Sequence, residues 1–164
     1  MPGRDGVNLG ALAAEQGAGF GTSGVRGLVT SLTPGLCMAY TEAFFSILDA
    51  KPRALLIGHD LRPSSPAIAR ACHAAAARLG IATVNAGVLP TPALAHAAEK
   101  LGCPAIMVTG SHIPFDRNGL KFYRAEGEIS KQDEQRILAF PVAQPLAEPQ
   151  LAPLPPVDAR PLAL

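Results

Sequence analysis

Ser111, His112 and Lys121 fall within one short stretch, Met107 to Tyr123, whose residue types could do chemistry. The apolar pair Met107-Val108 gives way to a small, polar turn, Thr109-Gly110-Ser111-His112. A bend containing Pro114, Asp116, Asn118 and Gly119 follows, and the chain then turns apolar again, with Lys121 set between Leu120 and Phe122 as strand alternation would set it. A hydroxyl on a tight loop beside a cation suits a phosphorylatable or nucleophilic serine. Such a hydroxyl is a poor nucleophile until a neighbour takes its proton or stabilises the developing charge, and His112 and Lys121 are the local candidates. The same residues also fit a plain surface loop in which Ser, His and Asn serve turn geometry. Adjacent residues seldom face each other, and no nucleophile elbow surrounds Ser111, which argues against a hydrolase pair with His112.

Other residues with chemical potential are scattered. Phe20 to Gly27 packs glycines around Thr22, Ser23 and Arg26, so that backbone N–H groups can approach an anion while Arg26 offers a forked cationic donor; a flexible glycine turn is the competing explanation. Asp60 and Arg62 follow a strand end, where they serve either as an ion pair holding the turn or as a substrate contact. His73 and His96 fall on helices without acidic or cysteine neighbours at ligand spacing and read as solvated or half-buried. Cys37, Cys72 and Cys103 lack metal-type spacing and sit in or next to apolar elements, as reduced packing cysteines of a cytoplasmic protein do.

The elements that must position these groups are legible. Thr33-Pro34, Ser65-Pro66 and Thr91-Pro92 each place a capping hydroxyl before a proline at the first helical position. Apolar faces follow at helical spacing: Leu36, Tyr40, Ala43 and Ile47; Ile68, Cys72, Ala75, Ala76 and Leu79; Leu94, Ala97, Ala98 and Leu101. Gly80 and Gly102 suit left-handed helix ends. Between the helices run Ala54 to Gly58, Ile81 to Val88 and Pro104 to Val108, near-continuous apolar strands of the kind buried on both faces of a parallel sheet. Leu120 to Arg124 adds an expected antiparallel edge strand, and Ser130 can cap a last helix ending near Phe140. The predicted fold is α/β: a three-layer α/β/α sandwich with a mainly parallel sheet. Ligands of such sheets gather beyond the C-terminal strand ends, where the loops His59 to Ser64, Leu89 to Pro92 and Thr109 to Asn118 should converge.

Composition narrows the function classes. The 164 residues suffice for one domain with a real core, and with 48% hydrophobic against 16% charged residues most of the chain should fold. A net charge of +1 sets up no large field, and no basic run interleaves with aromatics, so neither nucleic acid nor a membrane is an expected partner. The apolar patch Leu9 to Ala14 is too short for a signal segment or a span. The expected organisation is a flexible arm at 1–18, a domain at 19–140 and a Pro-rich, disordered tail at 141–164, in which Pro153 to Pro156 also fits a minimal PxxP ligand. That tail fits an evolved extension, a fragment whose remainder lies in another chain, or a reading frame lost near Phe140.

Four ordered stretches carry a family resemblance. Thr109-Gly110-Ser111-His112-Ile113-Pro114 with Asn118-Gly119-Leu120-Lys121 resembles the phosphoserine loop of the α-D-phosphohexomutases, the phosphomannomutase and phosphoglucomutase superfamily. Phe20 to Gly27 resembles its N-terminal signature, Ile57 to Ser65 its first strand-to-helix turn, and Gly87 to Leu94 its next one. The likeness covers about Phe20 to Phe140, the first of that family's four domains. It implies an isomerase of carbohydrate metabolism, an intramolecular phosphotransferase in which phosphorylated Ser111 exchanges a phosphoryl group between the 1- and 6-positions of a hexose phosphate. His112 and Lys121 would then be catalytic, Thr22, Ser23, Arg26 and Asn118 would lie near phosphate or substrate, and a hexose bisphosphate would be activator and intermediate. It also implies Mg2+ bound through the phosphate on Ser111, although the family's Asp-rich metal loop has no counterpart in this sequence. A separate chain supplying the missing domains is therefore an implied partner. Gly110 replaces a usual alanine, Ile113 a usual asparagine, and His59 a frequent arginine.

Overall fold

The structure is a computed structural model that describes residues 7–21, 24–111, 113–158 and 160. In chain order the elements are β1 (Val7–Asn8), α1 (Leu9–Glu15), β2 (Ala18–Gly21), β3 (Gly24–Leu28), α2 (Pro34–Ser46), β4 (Leu55–His59), α3 (Ser65–Arg78), β5 (Thr83–Val88), α4 (Thr91–Leu101), β6 (Ala105–Val108), β7 (Arg117–Arg124), β8 (Gly127–Glu128), α5 (Lys131–Leu138) and β9 (Pro141–Val142). Seven strands form one sheet in the order β2-β3-β7-β6-β4-β5, with β8 paired to β7. The β6, β4 and β5 ladders are parallel; β2, β3, β7 and β8 join antiparallel.

Strand alternation sorts the apolar residues into two layers. Leu55, Ile57, Ile106, Val108, Leu120 and Phe122 face a core shared with α1, α2, α3 and α5, whereas Leu56, Ala105, Met107 and Tyr123 face α4 through Leu94, Ala97 and Ala98. Each Leu or Ile so buried contributes roughly 1.5–3 kcal/mol. The fold is thus α/β with three layers, and most of the expected helix faces are buried. Leu79 is the exception at 43% exposure, because α3 ends at Arg78 and Leu79 is its C-cap, followed by left-handed Gly80.

Some expectations need correction. Leu120 to Arg124 belongs to β7, which lies inside the sheet, paired with β6 on one side and with β3 and β8 on the other. The glycine-rich segment Phe20 to Gly27 reads as an anion-approaching loop or a flexible turn, glycine having low strand propensity. It is instead a hairpin, β2–β3, and takes the edge position. The described part of the expected N-terminal arm forms β1 and α1, whose Leu9, Leu12 and Ala13 are buried; Asn8 caps α1 by accepting from the Ala11 amide at 2.8 Å.

The described part of the Pro-rich tail, expected to be disordered, is a strap. β9 pairs with β1; the Glu148 carboxylate accepts from Thr33 Oγ1 at 2.9 Å and the Gly35 amide at 2.8 Å at the start of α2. Arg70 donates to the carbonyls of Leu151 and Ala152, Asn85 donates to Pro155 O, and Asp158 N donates to Asn85 O, so the strap runs along the free edge of β5. Proline removes donors but leaves carbonyls, and side chains of the domain supply the donors.

The helix starts differ by one residue at two of three places. Thr33 caps α2 as expected. The N-cap of α3 is Ser64, whose hydroxyl accepts from Asn118 rather than capping the helix, and that of α4 is Pro90, whose side chain has no acceptor. Cys37, Cys72 and Cys103 are free and buried. Among the described residues no helix is long and apolar enough to cross a membrane.

Candidate functional site

Because β4, β5 and β6 are parallel, the loops after them open at one end of the sheet, where ligands of α/β folds collect. The serine loop leaves β6 there. Thr109 N donates to Gly119 O at 3.0 Å, which holds the start of the loop against β7. Thr109 Oγ1 accepts from the Ser111 amide at 3.0 Å, and Ile113 N donates to Gly110 O at 3.0 Å. The turn these bonds close puts Ser111 at φ 53°, the single positive φ of a non-glycine residue among the described residues, with its side chain exposed. Serine pays for this left-handed conformation in backbone strain, and such strain persists where surrounding structure enforces it.

The enforcing structure comes from β4 and α3. Asp60 Oδ2 accepts from the Gly110 amide at 2.9 Å, while Oδ1 accepts from the Arg62 amide at 3.0 Å and from Ser65 Oγ. Burial opposes charge on this carboxyl, but the bonds from Ser65, Gly110 and Arg62 outweigh it and hold the group below the usual carboxylate range. Arg62 is itself 9% exposed. Its Nη1 donates to Pro114 O at 2.6 Å and Arg117 O at 2.9 Å, its Nη2 donates to the Ile113 and Ser111 carbonyls, and its Nε lies 3.5 Å from Asp60 Oδ2. The guanidinium also stands 5.4 Å from the ring centre of exposed Phe115. The ion pair with Asp60, one of the two readings of these residues, is therefore present, and most of the arginine's bonds run to a loop about fifty positions later in the chain.

The expected site residues are only partly brought together. β3 pairs with β7 so that Arg26 stands opposite Gly119, which in turn bonds Thr109; one row across the sheet thus joins Arg26 to the serine loop. Arg26 lies on a strand, and Gly24 at φ 99° permits the hairpin that puts it there. Asn118, expected near substrate, is fully buried: Nδ2 donates to Ser64 Oγ at 2.8 Å and Ser65 Oγ at 2.9 Å, and Oδ1 accepts from Gly119 N. It fastens the loop to α3. Lys121 pairs across the sheet with Met107, and its ammonium sits 3.7 Å from Glu128 Oε1 and 5.9 Å from the Tyr123 ring centre, bordering a cavity of ≈ 50 Å³ with Phe20, Gly24 and Glu134. Thr22, Ser23 and His112 lie outside the described residues. Ser65 was expected only as a cap and Arg62 only as a local ion pair or substrate contact; their long-range roles left no signal beyond their place after a strand.

The Mg2+ implied by the resemblance is not accommodated by this chain's described residues. Among them no group of three or more His, Cys, Asp or Glu could hold a metal ion. Asp60, the carboxylate that meets the serine loop, has both oxygens occupied by the bonds just described.

Residues 17–141 match the family described as "Phosphoglucomutase/phosphomannomutase, alpha/beta/alpha domain I". The chain is 54% identical over 126 residues to the phosphomannomutase of Salmonella muenchen, an alignment covering 76% of this chain and 26% of that protein. It is 37% identical over 123 residues to the phosphoglucosamine mutase of Helicobacter pylori strain P12, covering 73% and 28%. Among solved structures, a phosphoglucomutase/phosphomannomutase family protein from Burkholderia thailandensis aligns with a TM-score of 0.63 at 26% identity, covering 76% of this chain and 29% of that one. The aligned region thus spans 26–29% of the length of these relatives.

Proposed function

Because the chain belongs to the phosphoglucomutase/phosphomannomutase family, as its α/β/α domain I, we propose that it is the phosphoserine-bearing domain of a phosphohexomutase. In this reading phosphorylated Ser111 gives its phosphoryl group to a free hydroxyl of a hexose monophosphate. The P–O bond to Ser111 breaks, a P–O bond to the sugar oxygen forms, and the proton of the sugar hydroxyl ends on the departing Ser111 oxygen. The hexose bisphosphate then returns its other phosphoryl group to Ser111, for a net 1-phosphate to 6-phosphate isomerisation in carbohydrate metabolism. A phosphoserine adds about −1.5 to −2 charges at neutral pH and needs cations nearby. Arg26, one sheet row away, suits that need, and His112 is the candidate for positioning or proton transfer. Metal ligands and sugar contacts would come from domains beyond this stretch, in the same protein or in a partner chain. A cytoplasmic setting suits three buried, free thiols.

The observation that carries the reading is the exposed Ser111 hydroxyl on an enforced positive-φ turn at the ligand end of the sheet. A second reading, a non-catalytic module that binds phosphosugars, draws on Lys121, whose charge is already matched by Glu128. A phosphosite map of the protein purified from its own host separates them. Phosphate on Ser111, lost in S111A together with mutase activity of the complete assembly, is the expected outcome. An unphosphorylated Ser111 in a chain that still binds hexose phosphate would favour the second reading.

A further inference from the structure

We propose that the start of α2, Arg70 of α3 and the outer edge of β5 form one binding site for an extended, proline-rich segment led by a carboxylate, and that a second copy of this chain fills it with its residues 146–158 whenever the chain's own segment lifts. The site involves neither Ser111 nor the bonds that hold its loop, and it stands apart from the phosphoserine reading. The Glu148 carboxylate accepts from Thr33 Oγ1 at 2.9 Å and from the Gly35 amide at 2.8 Å, at the positive end of a 13-residue helix. Further along, Arg70 donates through Nη2 to Leu151 O and through Nε to Ala152 O. Asn85 Nδ2 then donates to Pro155 O at 2.7 Å, and Asn85 O accepts from the Asp158 amide at 2.8 Å. Asn85 is 4% exposed, and its Oδ1 accepts from the Gly87 amide at 2.9 Å, so a bond within β5 turns the amide nitrogen outward to the segment. Leu146, Leu151 and Leu154 pack against the main core between these bonds. Prolines at 149, 153, 155 and 156 suit such a ligand, because the site asks for carbonyls and would leave most of their N–H groups without acceptors. Of the PxxP pattern, Leu154 and Pro155 are half-buried while Pro153 and Pro156 are exposed, so the site reads leucines, carbonyls and the carboxylate and not the spaced prolines.

Residues 146–158 hold no helix or strand of their own beyond one bridge, between Val157 and Asn85, so their order comes from the surface they lie on. A surface that supplies the bonds accepts the same segment from either chain, and a second copy is the partner that carries carboxylate, leucines and carbonyls at this spacing. In the closed chain the tether sets an effective concentration on the order of 1 mM, so in dilute protein the chain's own segment wins. Residues 142–164 lie beyond the stretch matched to the family, and the site is therefore this chain's own feature.

The test uses the full chain carrying L151S and L154S, which loosens the segment and spares the residues that receive it, with a fluorescein-labelled synthetic peptide of residues 146–158 as probe. Fluorescence anisotropy should show the peptide binding this variant about tenfold or more tighter than wild type, whose own segment competes. Adding R70A and N85A to the same variant should abolish that binding. In sedimentation, an R70A/N85A chain, with an intact segment and a broken site, should pair with the L151S/L154S chain, while neither pairs with itself. Hydrogen exchange of wild type reads the site without any substitution: the Gly35 and Asp158 amides should open together, about tenfold or more often than amides of β4 and β6. Exchange of those two amides only together with β4 and β6 would overturn the proposal, even if the leucine variant fails to fold. So would a folded L151S/L154S chain that ignores the peptide, binding that survives R70A and N85A, or peptide binding without pairing of the two chains.

Discussion

His73 makes stability fall between neutral and mildly acidic pH, and one substitution should remove that fall. Its ring is buried between α3 and β5, 8% exposed, with Nδ1 2.7 Å from Thr83 Oγ1 and Nε2 without a partner. Burial, with a smaller push from His59, lowers the imidazole from its ordinary 6.5 to about 4. Between those values the unfolded chain binds a proton that the folded chain refuses. The stability this group confers is therefore complete above pH 6.5 and declines as pH drops towards 4. By pH 4.5 the difference costs the native state about 2.5 kcal/mol. Asp133, held at about 2 chiefly by its bonds to Arg124, titrates below this window and does not confuse it. Urea unfolding of wild type and H73Q at pH 7.5 and 4.5 measures the effect; glutamine keeps a polar partner for Thr83 and removes the titration. The pH-dependent loss should shrink in H73Q by about 2 kcal/mol. Equal losses in the two proteins would show that His73 is accessible to protons in the folded state.

The strap and the buried amide give two further expectations. E148A removes the acceptor for Thr33 Oγ1 and the Gly35 amide, so urea unfolding should report a loss of about 1–2 kcal/mol; an unchanged midpoint would mean that the tail does not dock on α2. N118A leaves the Gly119 amide without its side-chain acceptor inside the fold and releases Ser64 and Ser65. It should cost about 2–3 kcal/mol and speed proteolysis within the serine loop, whereas a loss confined to about 0.5 kcal/mol would show the amide to be dispensable.

The sequence could be read wherever one residue's own chemistry settles its local conformation. Thr33 before Pro34 caps α2, Ser130 with Asp133 forms the capping box of α5, and Gly102 ends α4 in the left-handed region. The apolar runs at Leu55, Thr83 and Ala105 became the parallel strands, and their loops meet at one edge. Reading failed where the partner is remote. The Ala18 to Leu28 hairpin has too many glycines to look like strand, yet β7 supplies the ladder that holds it. The strap from Pro141 to Asp158 has no local order to offer and takes its bonds from Glu148, Arg70 and Asn85, two of which lie far back in the chain.

The same division runs through the site. Serine and histidine in one loop, with a lysine on the strand that follows, were enough to point to the family, because motif residues are nearly consecutive and turn-forming types announce themselves. The sequence by itself could not say that Asn118 turns inward to α3, that Lys121 meets Glu128, or that Arg62 reaches four carbonyls of the serine loop. A long polar side chain can satisfy its donors in many directions, and only the packing of β4, α3 and β7 around it selects one.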